Sequence, residues 1–191
     1  MPSAQNQIQI VDTHETSETL AVTRLQRVGY QINRTLLTGD MKNTPKLVID
    51  TNILVAATRN RHGPSFALMH IIRPGQVKMC CSPALFLEYE DVLKQANQLA
   101  APGLLASDID AMLTELAGII EPVNTHYQWR PQLRVPADEM VLEASANAQA
   151  HAIVTYNLRY FGPAKLFGIP VLNPNQLFQH FHQTVTRSTA P

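Results

Sequence analysis

The sequence has few of the features that mark secreted or membrane-spanning proteins. It contains two cysteines in 191 residues, and because Cys80 and Cys81 are adjacent in a predicted buried strand, they do not suggest a disulfide framework. No apolar run reaches the roughly 18–20 residues that span a bilayer. The polar stretch at residues 1–15 lacks the apolar core of a signal peptide. We therefore expect a cytoplasmic protein with no membrane partner.

Net charge is also absent. Lys and Arg together number 15, as do Asp and Glu, which argues against a protein that coats nucleic acid by bulk charge. This balance leaves room for a small, locally basic substrate groove. Hydrophobic residues make up 45% of the chain, enough for a sizeable core, and the length suits one domain of ordinary size.

The stretch at residues 46–57 organises the rest of the chain. Residues 47–49 form an aliphatic run typical of a strand buried on both faces, and this run ends at Asp50. Thr51 and Asn52 are predicted to cap the helix that follows. A carboxylate at the carboxyl end of a buried strand lies where open α/β sheets bind ligands. The alternative is that Asp50 only complements the helix N-terminus.

Strands and helices alternate along the remaining chain. Strands are predicted at residues 77–81, 119–123, 152–155 and 170–172, and helices at 65–72, 84–99, 107–117, 136–150 and 174–181. This alternation predicts an α/β fold with a mostly parallel sheet covered on both faces. Residues 1–44 are predicted to be an extension, partly helical or disordered, residues 45–182 the domain, and residues 183–191 a frayed tail.

Helical geometry ranks the acids that follow two of these strands. At about 100° per residue, Glu88 lies at the edge of the apolar stripe of its helix, whereas Glu90 and Asp91 turn toward solvent. In the helix that begins at residue 136, the same test selects Asp138. It places Glu139 opposite the packed face, together with Glu143, so we retain Glu139 only as the alternative third acid.

A parallel sheet would bring several of these polar side chains to one edge, because all of them follow or flank carboxyl ends of strands: Asp50, Glu88, Asp138 and Asn157. Three carboxylates placed there would repel one another unless a cation intervened. An all-oxygen cluster suits Mg²⁺ or Mn²⁺ rather than zinc. The predicted chemistry is metal-assisted hydrolysis of phosphodiester bonds.

Other side chains are candidates for holding the substrate. The arginines could bind backbone phosphates: Arg59, Arg61, Arg130 and Arg159. Trp129 could stack on an unpaired base. The alternatives are that each arginine is a solvated surface charge and that Trp129 fills a hydrophobic gap.

Four separated motifs then resemble the PIN-domain ribonucleases: V-I-D-T-N-I-L-V-A-A, S-P-A-L-F-L-E-Y-E-D-V-L, P-A-D-E-M-V-L-E-A and I-V-T-Y-N-L-R-Y-F. Over about residues 46–175 the chain looks similar to the bacterial branch of VapC-like toxins of toxin–antitoxin pairs. This resemblance implies a three-layer α/β/α sandwich and an endoribonuclease that uses Mg²⁺ or Mn²⁺. By motif, the metal-binding acids are Asp50, Glu88 and Asp138, with Asn157 at the fourth position. The resemblance also assigns Thr51 or Asn52 to orienting water or the first acid.

The resemblance further implies a separately encoded antitoxin in the cleft and a homodimer.

The sequence departs from the family pattern at two places. Relatives often have D-P-D-D-E where residues 135–139 read V-P-A-D-E, and they often have aspartate where this chain has Asn157. Both should weaken binding of a second metal, so one alternative is a weakened or inactive relative that binds RNA or protein. The other alternative is a phosphatase that uses Asp50 as a covalent nucleophile. That reaction would require an acid two residues later, where this chain has Asn52.

Overall fold

The structure is a computed structural model that describes residues 44–72, 77–128 and 130–188, with side chains described as far as Phe181. The predicted N-terminal extension, apart from Thr44, lies outside the described residues, as does Trp129. Within the described ranges, no helix has both the length and the hydropathy needed to span a membrane. Cys80 and Cys81 are both free thiols.

In the described part of the chain, five strands form one sheet in the order β3-β2-β1-β4-β5, and every pairing is parallel. The strands are β1 (Lys46–Ile49), β2 (Lys78–Cys81), β3 (Glu121–Pro122), β4 (Ala152–Val154) and β5 (Val171–Leu172). The predicted α/β fold with a parallel sheet is confirmed. Because the strands are parallel, their carboxyl ends meet at one edge, called the carboxyl edge below.

Helices connect these strands. They are α1 (Thr51–Arg59), α2 (Pro64–Ile72), α3 (Pro83–Leu93), α4 (Ala96–Ala100), α5 (Ala106–Ala117), α6 (Pro136–Ala148), a 3₁₀ helix (Leu158–Phe167) and α7 (Pro174–Ser188). Leu47, Val48 and Ile49 are all buried. Because consecutive strand residues point to opposite faces, both faces of the central strand are covered, as expected for such a sheet.

Two predicted helix caps are wrong. The side chain of Asp50, rather than Thr51 or Asn52, accepts the capping bond of α1 from the backbone N–H of Asn52. The predicted start of α5 at residue 107 or 108 is also wrong, because the helix begins earlier, after Leu105. Asp108 reaches back from the third helical position and accepts from the backbone N–H of Leu105 at 2.8 Å, which stabilises the earlier start.

Three elements differ in length or type from the prediction. The helix predicted at residues 84–99 is interrupted, since α3 ends at Leu93, the last buried residue of its stripe, and α4 begins after Gln95. A continuous helix would present exposed residues there and gain little from packing. The loop predicted after Asn157 is a 3₁₀ helix. The last helix runs past its predicted end at Phe181 to Ser188, into the segment predicted to be frayed.

Candidate active site at the carboxyl edge of the sheet

Asp50 follows β1 at the carboxyl edge and is only 6% exposed. Its Oδ2 accepts hydrogen bonds from the hydroxyl of Thr155 and, at 2.6 Å, from the side-chain amide of Asn52. Burial raises the pKa of Asp50, and these donors oppose that increase because they stabilise the charged form. The Asp50 carboxylate is therefore held in place by side chains from two different elements.

Thr155 and Asn52 join the ends of β1 and β4 into one network. The Asn52 amide also donates to the Thr155 hydroxyl at 3.0 Å, and the Asn52 carbonyl oxygen accepts from the backbone N–H of Tyr156 at 3.2 Å. The sequence placed Asn52 beside Asp50 but did not single out Thr155, which is fully buried. The sequence feature that could have identified Thr155 is its position at the end of the predicted strand, two residues before Asn157.

Glu88 and Asp138 approach Asp50 from two further elements, α3 and the first turn of α6. Burial is the main cause that raises the pKa of Glu88, and the negative charges of Asp50 and Asp138 raise it further. Burial also raises the pKa of Asp138, again reinforced by Asp50. Three carboxyl groups from separate parts of the chain thus lie within electrostatic reach of one another, as the sequence predicted.

One oxygen of this cluster lacks a partner. Glu88 Oε2 is buried and has no hydrogen-bond partner among the described residues, and the same is true of the Thr51 hydroxyl. The Thr51 hydroxyl lies close enough to the Glu88 carboxyl to lower its pKa against the effect of burial. A buried carboxylate oxygen without a partner is costly unless a donor or a cation satisfies it.

The donor set fits a hard divalent cation, although it is not a complete cage. All the side chains are oxygen donors, they repel one another electrostatically, and one buried oxygen is unsatisfied. In the described ranges, however, no three or more His, Cys, Asp and Glu side chains form a ready group that could hold a metal ion. The arrangement suits an ion such as Mg²⁺, which keeps several waters and takes only one or two protein carboxylates.

Asn157 lies beside this cluster and contacts it through its backbone. The residue is exposed, and its backbone N–H donates to the Thr155 hydroxyl at 2.9 Å. The contact of Asn157 with the Asp50 network is therefore made by its backbone. Whether the neutral side chain takes the fourth metal-binding position stays a prediction.

Two of the predicted phosphate-binding arginines, Arg59 and Arg61, lie at the far end of α1 from Asp50. Arg59 donates to the side chain of Gln98 at 2.6 Å, and Arg61 lines a mostly apolar cavity of about 340 Å³ between α1, α2 and α5. Arg59 is the last residue of α1 and Arg61 follows it, and this end of the helix is about 13 Å from Asp50. Arg159, two residues after Asn157, is the candidate nearest the site in sequence, and its role stays a prediction.

The prediction that Glu139 and Glu143 lie opposite the packed face of α6 is wrong, because both are buried. Glu139 Oε1 accepts from the backbone N–H groups of Gln132 (2.6 Å) and Leu133 (2.7 Å). Glu143 binds both Nε and Nη2 of Arg130, at 2.8 and 2.9 Å. The loop before α6 thus covers this face of the helix, and it gives Arg130 a partner other than a phosphate.

Comparison with known proteins agrees with this geometry. A search of curated proteins gives no match. A family model described as PIN domain matches residues 46–159, a range that includes Asp50, Glu88, Asp138 and Asn157. PIN domains are generally nucleases, which hydrolyse phosphodiester bonds. With the parallel sheet and the carboxyl groups at its edge, this match shows that the chain belongs to the PIN domain family.

Proposed function

We propose that this protein is a Mg²⁺- or Mn²⁺-dependent endoribonuclease and the toxin component of a toxin–antitoxin pair. The main supporting observation is that Asp50, Glu88 and Asp138 come together from three separate elements at the carboxyl edge of the sheet, where the negative charge of Asp50 adds to burial in raising the pKa of both Glu88 and Asp138. Membership of a family that generally consists of nucleases gives this cluster a chemical role.

In this proposal each carboxylate has a defined task. Asp50 is the fixed ligand, because Thr155 and Asn52 hold its carboxylate in one orientation. Glu88 contributes the buried oxygen that needs a partner, and Asp138 adds charge from α6. A bound divalent ion would lower the pKa of a water molecule and stabilise charge on the reacting phosphate. No side-chain nucleophile is required.

The direct test is cleavage of single-stranded RNA by the purified full chain. We expect hydrolysis that requires Mn²⁺ or Mg²⁺, stops with EDTA and disappears in Asp50→Asn and Glu88→Gln. The matched control is Asp91→Asn, which removes an exposed acid from the same helix as Glu88 and should leave the rate unchanged. Equal cleavage by wild type and Asp50→Asn would overturn the nuclease assignment.

A second candidate is a catalytically weak PIN domain that binds RNA or a protein. It is favoured by the exposed, neutral Asn157 and by the lack, in the described ranges, of a ready three-residue metal group. Calorimetric titration with Mn²⁺ separates the two. A nuclease should take up Mn²⁺ in a manner that depends on Asp50, whereas a mere binding module need not.

The toxin role and the homodimer rest on the resemblance. Expression in a bacterial host should stop growth for wild type and not for Asp50→Asn, and co-expression of the cognate antitoxin should restore growth. Light scattering should give twice the mass of one chain if the domain is a homodimer. Normal growth with an RNA-cleaving wild type would refute the toxin role while leaving the nuclease proposal intact.

A further inference from the structure

Tyr156 is attached to the carboxylate network at one end and to a different helix at the other. Its backbone N–H donates to the same Asn52 whose amide holds Asp50. Its phenolic oxygen lies 2.8 Å from the hydroxyl of Ser65, and the two share a hydrogen bond. Ser65 is itself buried in the first turn of α2. The ring is therefore fixed both at its backbone and at its tip.

The fixed ring is nevertheless accessible, since Tyr156 is 44% exposed. A tyrosine that serves only to fill a core would be expected to bury most of its ring. An aromatic face that is already immobilised loses little side-chain entropy when a planar group stacks on it. Such a face, one residue beyond Thr155, borders the place where the scissile phosphate is proposed to lie.

We infer that Tyr156 forms a stacking subsite for an unpaired nucleobase of a single-stranded RNA substrate, beside the carboxylates at the carboxyl edge. This inference rests on the proposed nuclease function. The neutral net charge of the chain adds to the argument, because bulk attraction of phosphates cannot supply the affinity. Stacking on an aromatic ring tolerates any base sequence, since every base has a π-face.

The test compares two short ligands of equal length, an oligouridylate that carries one 2-aminopurine and an abasic ribose-phosphate strand. Binding to the full chain is measured at fixed salt with Ca²⁺, which also takes oxygen ligands. Wild type should prefer the strand with bases by about tenfold, the scale of one stacked base. Stacking should also quench the 2-aminopurine fluorescence.

Four variants isolate the ring. Tyr156→Leu should lose both the preference and the quenching, whereas Tyr156→Phe should keep most of both, because it retains the aromatic face. Ser65→Ala removes the same hydrogen bond as Tyr156→Phe and should likewise keep most of the preference and the quenching. Tyr160→Leu is the matched control, since Tyr160 is equally exposed (45%) and lies in the 3₁₀ helix beyond the site.

The outcomes distinguish this subsite from the proposed function. If wild type binds and cleaves RNA, and Tyr156→Leu retains the preference for bases and the quenching, the subsite is refuted and the nuclease proposal stands. If wild type neither binds nor cleaves RNA, the proposed function fails and the subsite with it. Loss in Tyr156→Leu with retention in Tyr156→Phe supports the subsite, because both variants lack the hydroxyl bond to Ser65.

Discussion

The hydroxyl of Thr155 donates a hydrogen bond to the carboxylate of Asp50, although the two residues are 105 positions apart in the sequence. The sheet creates this contact. Ile49 of β1 pairs with Val154 of β4, so the residues that follow both strands emerge side by side. The backbone N–H of Asp50 extends the pairing by donating to the Val154 carbonyl oxygen at 2.9 Å.

Thr155→Val should both destabilise the domain and impair the site. It keeps the side-chain shape but removes the hydroxyl that Asp50, Asn52 and the backbone of Asn157 share. We expect the free energy of unfolding to fall by about 1–3 kcal/mol, the scale for buried groups that lose a partner. Denaturant titration measures this change, and RNA cleavage should fall as well. Thr155→Ser keeps the hydroxyl and should retain most of both properties; an equally impaired serine variant would contradict the role of this hydrogen bond.

Glu88→Gln should change how stability depends on pH. The pKa of Glu88 is raised in the folded state. As the pH rises above about 4, the Glu88 carboxyl therefore loses its proton at a lower pH in unfolded chains than in folded ones. The free energy of unfolding of wild type therefore falls through the window up to the raised pKa. Glutamine does not titrate, so the stability of the variant relative to wild type should increase across this window in metal-free buffer. A relative stability that is constant with pH would place Glu88 outside the charged cluster.

Divalent cations should stabilise the folded protein. At an Mn²⁺ concentration about 100-fold above its Kd, the expected gain is about 2.7 kcal/mol, or roughly 5–10 °C in Tm for a domain of this size. Differential scanning fluorimetry with Mn²⁺ or EDTA measures this shift. Asp50→Asn and Asp138→Asn should reduce it, and Asp91→Asn should not. The same shift in all these variants would place the ion elsewhere.

Arg130→Ala should act mainly on stability. The side chain of Arg130 is 45% exposed, but its partner Glu143 is almost fully buried, so the variant leaves a buried carboxylate without its cation. Because the exposed arginine is partly screened by solvent, the loss should be smaller than for a fully buried pair. We expect a decrease of about 1–3 kcal/mol in the free energy of unfolding. Denaturant titration with Arg159→Ala as control tests this, since a surface arginine should cost under about 0.5 kcal/mol. Equal losses in both variants would contradict the structural role of Arg130.

The sheet was predictable because its signal is local. Short aliphatic runs, each ended by turn residues and separated by helical patterns, indicated every strand near its observed position. Asp50 was selected for the same reason, since it ends such a run, whereas Glu88 was selected by its position at the edge of the apolar stripe of its helix. Parallel pairing then requires the strand ends to meet, which explains why electrostatic coupling between residues far apart in sequence could be expected.

The positions of the other side chains depend on tertiary packing, which the periodicity of the sequence does not reveal. Helical geometry placed Glu139 and Glu143 in solvent, because nothing local shows that the preceding loop folds over that face of α6 and supplies backbone donors and Arg130. The distant positions of Arg59 and Arg61 have a similar origin, since the direction of α1 away from the sheet edge decides where its last turn lies. Thr155 was missed because a buried threonine at a strand end is usually only a core residue.

The strand order has a consequence for biosynthesis. Asp50 is synthesised 105 residues before Thr155, so β4, which precedes Thr155, pairs with β1 only after this intervening chain has been made. A nascent chain that has not yet exposed this segment lacks the neighbour that holds the first carboxylate. Premature release of a polypeptide that ends before Thr155 would therefore yield a fragment in which the Asp50 carboxylate lacks this neighbour.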